Sequence, residues 1–408
     1  MKTIFRQREE ISLRYIGLAD TSGYAVAAAA LVRALRDAGV SLAWEPMLPG
    51  GALGLGYAPS PSRQAGPAEF WPLRADEKAC ETVIIHFVPE YYPHFLERER
   101  ARGATRIIGH TVWETDRLPA HWPDLINRLD AVIVPTEWNR DVFRASGVVI
   151  PILVAPHLPR PAAVVVEEER AALRGRLPPL HGRRVFYTVS TWLERKSIGP
   201  LVAAFAEAFT HDDPVALVIK TTPHDLERVR RDPGHEGENV PVLPQFEAMI
   251  GRAVLRHGRL PPPILLLTDE LPEGELRALH EMGACYVSLC RAEGWGLGAF
   301  EAACAGKPVI ITGWGGPTAY LSPRSAYFID WTMAPVCPGE ANASYTPDQN
   351  WAEPDLQSAV KALRAVLAKP DEAARRGARA AEAIRDGIVP TAVAHTLLEQ
   401  IRALPAAD

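Results

Sequence analysis

Twice along the chain, short runs of β-branched and apolar residues alternate with helical patterns, and this alternation limits the fold more than any other feature. Strands joined through a helix run parallel, because the crossover brings the chain back to the same end of the sheet. The first series predicts strands at Ser12 to Gly17, Val40 to Trp44, Thr82 to Phe87, Arg106 to Val112, Ala131 to Pro135 and Ile150 to Ala155. The second predicts Val185 to Ser190, Val215 to Thr221, Ile264 to Thr268, Cys285 to Leu289, Pro308 to Thr312 and Ala326 to Ile329. Helices fill most of the gaps. The clearest is expected from about Tyr24 to Ala38, with Leu31, Val32 and Leu35 on one face and Gly39 placed to end it. The expected fold class is α/β, with each series building a Rossmann-like domain.

The Pro- and Arg-rich stretch from Pro156 to Arg184 interrupts the rhythm once and marks the expected boundary. A chain of 408 residues exceeds one ordinary core and suits two domains of roughly 150 to 200 residues. The expected division is residues 1–165, residues 166–388, and a tail helix in 389–408 whose Val393, Leu397, Leu398 and Ile401 form a stripe that must pack on something. From Pro46 to Ala79 the chain is rich in Gly, Pro and Ala without a period, long for a structureless connection. It reads either as a functional loop or as a surface insertion. It carries Tyr57, Phe70 and Trp71 and few charges, among them Arg63, Glu69, Arg74 and Asp76, so it is the candidate acceptor loop.

Forty-four basic and forty-nine acidic side chains leave a formal charge of −5, which gives no electrostatic footprint for nucleic acid. The five cysteines contain no CxxC pair, so neither a disulfide framework nor a zinc knuckle is suggested, and a reducing cytoplasm is expected. Charges in MKTIFRQREE sit where a signal peptide needs an apolar core, and no apolar run reaches about 18 residues. Peripheral membrane contact stays open, as does the oligomeric state.

The chemistry concentrates where one strand passes through a glycine-rich turn into a short helix, Ser288-Leu-Cys-Arg-Ala-Glu-Gly-Trp-Gly-Leu-Gly-Ala-Phe-Glu-Ala-Ala-Cys-Ala-Gly-Lys-Pro-Val. Gly294, Gly296 and Gly298 allow positive φ and close backbone approach, and the N–H groups opening the helix point outward as anion donors. Glu293 and Glu301 flank them at a Glu-x7-Glu spacing. Ionised carboxylates accept bonds from vicinal hydroxyls. Either glutamate by itself reads first as a solvated loop or helix-start residue; the glycines and flanking strands turn the pair towards a ligand site. Arg195 and Lys196 follow the first strand of the second series, a position that counters phosphate charge at the mouth of a doubly wound sheet or else forms a basic loop in solvent. Lys220, ending the next strand, is a third cation at that edge or a simple strand-end residue.

Over nearly its whole length the chain resembles the retaining GT-B glycosyltransferases grouped as family four. The likeness is strongest from Ser288 to Gly316, where Glu293-Gly-Trp-Gly-Leu and Glu301-Ala-Ala-Cys-Ala-Gly-Lys-Pro-Val resemble that family's glutamate-glycine segment and its second glutamate. The resemblance implies two facing Rossmann-like domains with a deep cleft, an acceptor side in residues 1–165, a nucleotide-sugar side in 166–388, and a tail helix crossing back to the first domain. It implies that Glu293 contacts hydroxyls of the transferred sugar, Glu301 the ribose, and the backbone of Gly296, Leu297 and Gly298 the sugar or phosphate. Lys196, Arg195 and Lys220 would then face the diphosphate. His110-Thr-Val-Trp-Glu-Thr-Asp-Arg-Leu-Pro resembles the family's segment near the sugar, which turns His110 to the transfer centre. Gly23 resembles the glycine of the first strand-helix loop, which approaches the diphosphate.

There are departures. The family's arginine five residues before the lysine is Thr191 here, its proline after Gly-Leu is Gly298, and its Gly-Gly-x-x-Glu reads Gly315-Gly316-Pro-Thr-Ala-Tyr. The implied reaction is sugar transfer from a nucleotide diphosphate to an unidentified acceptor (glycan, lipid or small molecule), with retention and with no metal or cofactor beyond the donor substrate. A GT-B sugar-nucleotide epimerase and a non-catalytic sugar-nucleotide-binding protein are the alternatives. A dinucleotide-dependent oxidoreductase would need a compact GxGxxG after the first strand, which Gly17 to Gly23 does not supply.

Overall fold

The computed structural model describes residues 12–49, 57–59, 65–73, 80–180, 182–229, 234, 237–337 and 344–405. The chain forms two compact units. The first comprises Met1–Trp113, Arg117–Pro159 and Ile388–Asp408, the second Glu114–Asp116 and Arg160–Gly387.

In the first unit the strands are β1 (Ser12–Leu18), β2 (Ser41–Pro49), β3 (Tyr57–Pro59), β4 (Thr82–His86), β5 (Arg106–His110), β6 (Ala131–Val134) and β7 (Ile152–Val154), ordered β3-β2-β1-β4-β5-β6-β7. All pairs are parallel except β2 with β3. Leu13 to Leu18 of β1 and all of β4 and β6 are buried, as strands covered on both faces must be. The six strands expected from apolar runs are all present, with ends shifted by a few residues. Helix Gly23–Asp37 starts where the Ser22 hydroxyl accepts from the Ala25 N–H and stops before Gly39, at φ +80°. Helix Pro390–Arg402 also belongs to this unit and packs its buried Ala394, Leu397, Leu398 and Ile401 on Gly23–Asp37.

The described residues of the stretch from Pro46 to Ala79 form regular elements that its composition does not suggest. β2 runs on to Pro49, β3 pairs with it, and a 3₁₀ helix spans Ala68–Leu73. Phe70 is fully buried, edge-on to Trp44 at 6.0 Å, under the Arg33 guanidinium. Phe70 is therefore a core residue rather than an exposed platform for a ligand, which corrects that part of the acceptor-loop expectation. Trp71 remains 38% exposed. Arg63, Arg74 and Asp76 lie outside the described residues.

In the second unit β8 (Arg184–Val189), β9 (Val215–Lys220), β12 (Ile264–Leu267), β13 (Cys285–Ser288), β14 (Val309–Thr312) and β15 (Tyr327–Ile329) form an all-parallel sheet ordered β12-β9-β8-β13-β14-β15. These are the six strands read from the second series. Two antiparallel hairpins were not read: β10 (His224–Val229) with β11 (Asn239–Pro241), and β16 (Trp331–Pro335) with β17 (Asn350–Pro354). Helix Glu167–Arg176 forms inside the Pro- and Arg-rich stretch, with Glu167, Glu168 and Glu169 in its first turn. Among the described residues no helix is long and apolar enough to cross a membrane.

Candidate functional site

In the second unit the chain leaves β8 towards β9 on one side and returns beyond β8 to β13 on the other. A crevice opens at such a reversal, outside the carboxyl ends of the strands, because the two following loops diverge. Here those loops carry Glu194–Lys196, a 3₁₀ turn after β8, and Glu293 to Gly296 after β13. Gly296, at φ +82°, caps helix Leu297–Cys304 and aims its opening N–H groups out of the sheet. Of the three glycines of this turn, Gly296 is the one with positive φ. Gly298 is required by packing instead: a Cβ there would lie 2.6 Å from the Val189 carbonyl at the end of β8.

A neighbouring loop holds the turn in shape. The Gly316 N–H donates to the Glu293 carbonyl at 2.8 Å, and Tyr320 donates its hydroxyl to the Trp295 carbonyl at 3.0 Å. A Cβ on Gly316 would lie 2.0 Å from the Gly294 carbonyl oxygen. Gly315, at φ +75°, meets the Glu293 carbonyl in the same way. The Gly-Gly pair is thus a backbone-to-backbone contact that positions Glu293.

Across the crevice a row of alternating charges forms. Lys196 Nζ donates to Glu293 Oε1, its sole hydrogen-bond acceptor among the described residues. Arg195 donates to the Ala292 carbonyl at 2.9 Å and to Glu293 Oε2 at 3.4 Å, and pairs with Glu114 Oε1 at 3.1 Å. Tyr345 donates its hydroxyl to the other Glu114 oxygen at 2.9 Å. Burial pushes the Glu293 carboxyl up, but Lys196 and Arg195 outweigh it and hold the group below the usual carboxylate range. Arg195 is likewise opposed by burial and favoured by Tyr345, Glu114 and Glu293, which raise its pKa. Its buried Nε–H finds no acceptor among the described residues.

Glu301, on the first turns of the helix after Gly296, has Arg160 Nε at 2.6 Å and His280 Nε2 at 3.6 Å. His280 is set in turn by Tyr187, whose hydroxyl lies 2.9 Å from His280 Nδ1. Burial raises the Glu301 carboxyl, and His280 and Arg160 reverse this to a net lowering. Lys220, at the end of β9, donates to the Thr221 carbonyl at 3.0 Å, and burial lowers its pKa against the pull of Glu270 and Asp269. A cavity of about 540 Å³ lies beside the Glu194–Lys196 turn, lined by Glu194, Ser197, Asp225, Glu227 and Arg252 among others; none of the expected site residues lines it.

His110 and Gly23 belong to the first unit. Gly23 is the first residue of its helix, just after β1. His110 ends β5, beside His86 at the end of β4, and their rings stack at 3.7 Å and 11°. The Tyr15 hydroxyl lies 2.8 Å from His86 Nδ1 and 3.1 Å from His110 Nδ1. All three side chains are at most 2% exposed. Burial drives both imidazoles well below the ordinary histidine value, with a further push on His86 from His110 and His157 and on His110 from His157.

Sequence reasoning placed Lys196, Arg195, Glu293 and the Gly296 helix start, which the second unit gathers at one sheet edge. It carried Glu114 only within the His110 segment, as a second place to seek the acceptor, and it missed Tyr345, Arg160 and His280. Glu114–Asp116 is a three-residue excursion into the second unit, where Asp116 accepts from the Asn350 N–H at 2.6 Å, and no local pattern announces it.

No protein-family model matches the chain, and no curated protein matches it. Solved structures do. Sucrose-phosphate synthase from Thermosynechococcus elongatus is similar at a TM-score of 0.64 and 15% identity over 97% of this chain and 99% of that one. Anabaena HepE in complex with UDP-glucose is similar at 0.62 and 12% over 96% and 99%. The trehalose-6-phosphate synthase OtsA is similar at 0.64 and 13% over 96% and 99%. The chain has the GT-B fold. At these identities the likeness speaks for the fold.

Proposed function

We propose that the protein is a retaining glycosyltransferase of the family-four kind, which moves a sugar from a nucleoside diphosphate to an acceptor. The observation that carries this reading is the convergence of Lys196, Arg195, Glu293 and the helix start at Gly296 on the switch point of the second sheet. Sugar transfer weakens a C–O bond to phosphate, so negative charge grows on the leaving diphosphate and positive charge on the ring. Lys196 and the N–H groups after Gly296 stabilise the first, acting as preorganised donors in a site shielded from water. Arg195 adds to the field while anchoring Glu293, whose ionised carboxylate accepts from hydroxyls of the transferred sugar. Glu301 receives the ribose hydroxyls, with Arg160 and His280 fixing its orientation. Gly23 and His110 stay candidate donor residues on the resemblance, and the first unit is the candidate acceptor side.

HepE is described with UDP-glucose, so uridine nucleotides are the first donors to test. UDP-, GDP-, ADP- and dTDP-sugars should be screened for a rise in melting temperature, since a ligand of the native state stabilises by mass action. One class should stabilise and should then be consumed with an acceptor panel. A free sugar nucleotide modified without an acceptor would mean an epimerase. Binding with neither transfer nor hydrolysis would mean a binding protein.

A further inference from the structure

The two cations of the site are held differently. Lys196 has one hydrogen-bond acceptor among the described residues, Glu293 Oε1, so its ammonium can turn to a phosphate oxygen at the loss of a single bond. Arg195 is fixed on both terminal nitrogens. Its Nη1 donates to the Ala292 carbonyl at 2.9 Å and to Glu293 Oε2 at 3.4 Å, and its Nη2 pairs with Glu114 Oε1 at 3.1 Å. Turning the guanidinium outward would strand the Glu114 carboxylate, 15% exposed, without its cation.

Glu114 is held by contacts of its own. The Tyr345 hydroxyl donates to its Oε2 at 2.9 Å. Next along the chain, the Thr115 hydroxyl donates to Gln349 Oε1 at 3.3 Å, and Asp116 accepts from the Asn350 N–H at 2.6 Å and from the Asn350 side-chain amide at 2.9 Å. Residues 114–116 are thus stitched to residues 345–350 within the second unit. A firmly placed carboxylate therefore faces Arg195 from the side opposite Glu293.

We propose that Glu114 and Tyr345 are positioning residues which keep Arg195 off the diphosphate and set it against Glu293, so that Arg195 retains Oε2 while Oε1 passes from Lys196 to the sugar. This rests on the donor-site reading above. The two cations then divide the work: Lys196 serves the leaving group and Arg195 serves the carboxylate. Arg195 does not stand in for the arginine that Thr191 replaces.

The test pairs calorimetry of the full-length protein with UDP, GDP, ADP and dTDP with turnover of UDP-, GDP-, ADP- and dTDP-glucose, read as hydrolysis so that no acceptor is needed. Glu114→Gln keeps the shape and removes the charge. It should bind the recognised diphosphate about tenfold tighter, because a charge that repels phosphate is gone from a partly buried site. It should also lower kcat about tenfold, because a neutral amide holds Arg195, and through it Glu293, less firmly. Tyr345→Phe leaves the charge in place and should lower kcat at unchanged diphosphate affinity. A Glu114 that merely braces the fold would weaken binding and turnover together. Diphosphate affinity that fails to rise in Glu114→Gln, or kcat at the wild-type level, overturns the proposal. If Glu114→Gln does not fold, Tyr345→Phe decides: lowered kcat at unchanged affinity upholds the proposal, and wild-type kcat or weakened binding overturns it. Wild-type protein that binds none of the four diphosphates overturns the donor reading, and this inference with it.

Discussion

Lys196 and Glu293 meet across the junction of β8 and β13, the ammonium donating to the carboxylate with each side chain 12% exposed. Two half-sheets thus bring opposite charges to one point through loops almost a hundred residues apart in sequence. A buried pair of this kind adds little net stability, because desolvation offsets the attraction. Under the proposed function the pair has another use: phosphate oxygens would take the lysine and sugar hydroxyls the glutamate.

Replacing Lys196 by alanine should lower turnover by about a hundredfold or more, since a lost preorganised donor to a leaving group costs ~3 kcal/mol. Steady-state kinetics with the donor found by screening checks this. Unchanged turnover removes Lys196 from the mechanism. Arg195→Ala removes a cationic partner from both Glu114 and Glu293, so it should lower the melting temperature more than Lys196→Ala does. The reverse order would make Lys196 the structural cation.

Gly316→Ala should damage the site from a distance. Its Cβ would lie 2.0 Å from a backbone oxygen that cannot swing aside, so the turn holding Glu293 must move, at a cost of about 1–3 kcal/mol or more. Nucleotide binding, measured by calorimetry, should weaken with it. Gly387→Ala is the control, with nothing within 4 Å of the added carbon and an expected change within about 0.5 kcal/mol. Equal stability of the two variants would refute the packing account of Gly316.

The strands and the glycine turn were legible because their signals are local: apolar runs bounded by turns, and glycines at a strand-to-helix passage. The partners of the site were not. Glu114 pairs with Arg195, and Arg160 with Glu301, over separations that no spacing rule spans. The hairpins β10–β11 and β16–β17 escaped because His224–Val229 mixes charges with apolar residues, and Asn239–Pro241, Trp331–Pro335 and Asn350–Pro354 are short and each ends in proline. Phe70 misled for a related reason. Its neighbours have no period, yet a single aromatic reaching Trp44 is enough to seat the segment.

Phe70 and Trp71 should therefore separate. Phe70→Ala empties a fully buried ring site and should cost about 3–5 kcal/mol, visible as a large drop in urea midpoint. Trp71→Ala, at a 38% exposed position, should change stability little. If the segment meets the acceptor, Trp71→Ala raises the acceptor KM while leaving donor binding as it was. Wild-type acceptor kinetics in Trp71→Ala would reduce the segment to a structural insertion.

Acid should weaken the first unit before it reaches the carboxylates. Burial lowers His157 to about 4, and His86 and His110 well below their ordinary value of 6.5, so the folded rings stay neutral while the unfolded ones take up protons. The unfolded state then binds more protons, and stability falls as pH falls, by up to ~1.4 kcal/mol per pH unit for each ring. The window opens near the unfolded value of 6.5 and, for His157, closes near 4. Glu293 and Glu301 have depressed values too, so what they contribute is present above the ordinary 4.5 and is lost only below it. Between about pH 7 and 5 the loss accordingly belongs to the histidines. Urea midpoints taken across that range should decline, and His157→Gln should flatten the slope by about one ring's share. A midpoint that holds level from pH 7 to 5 would mean that the folded rings take up protons as readily as the unfolded chain.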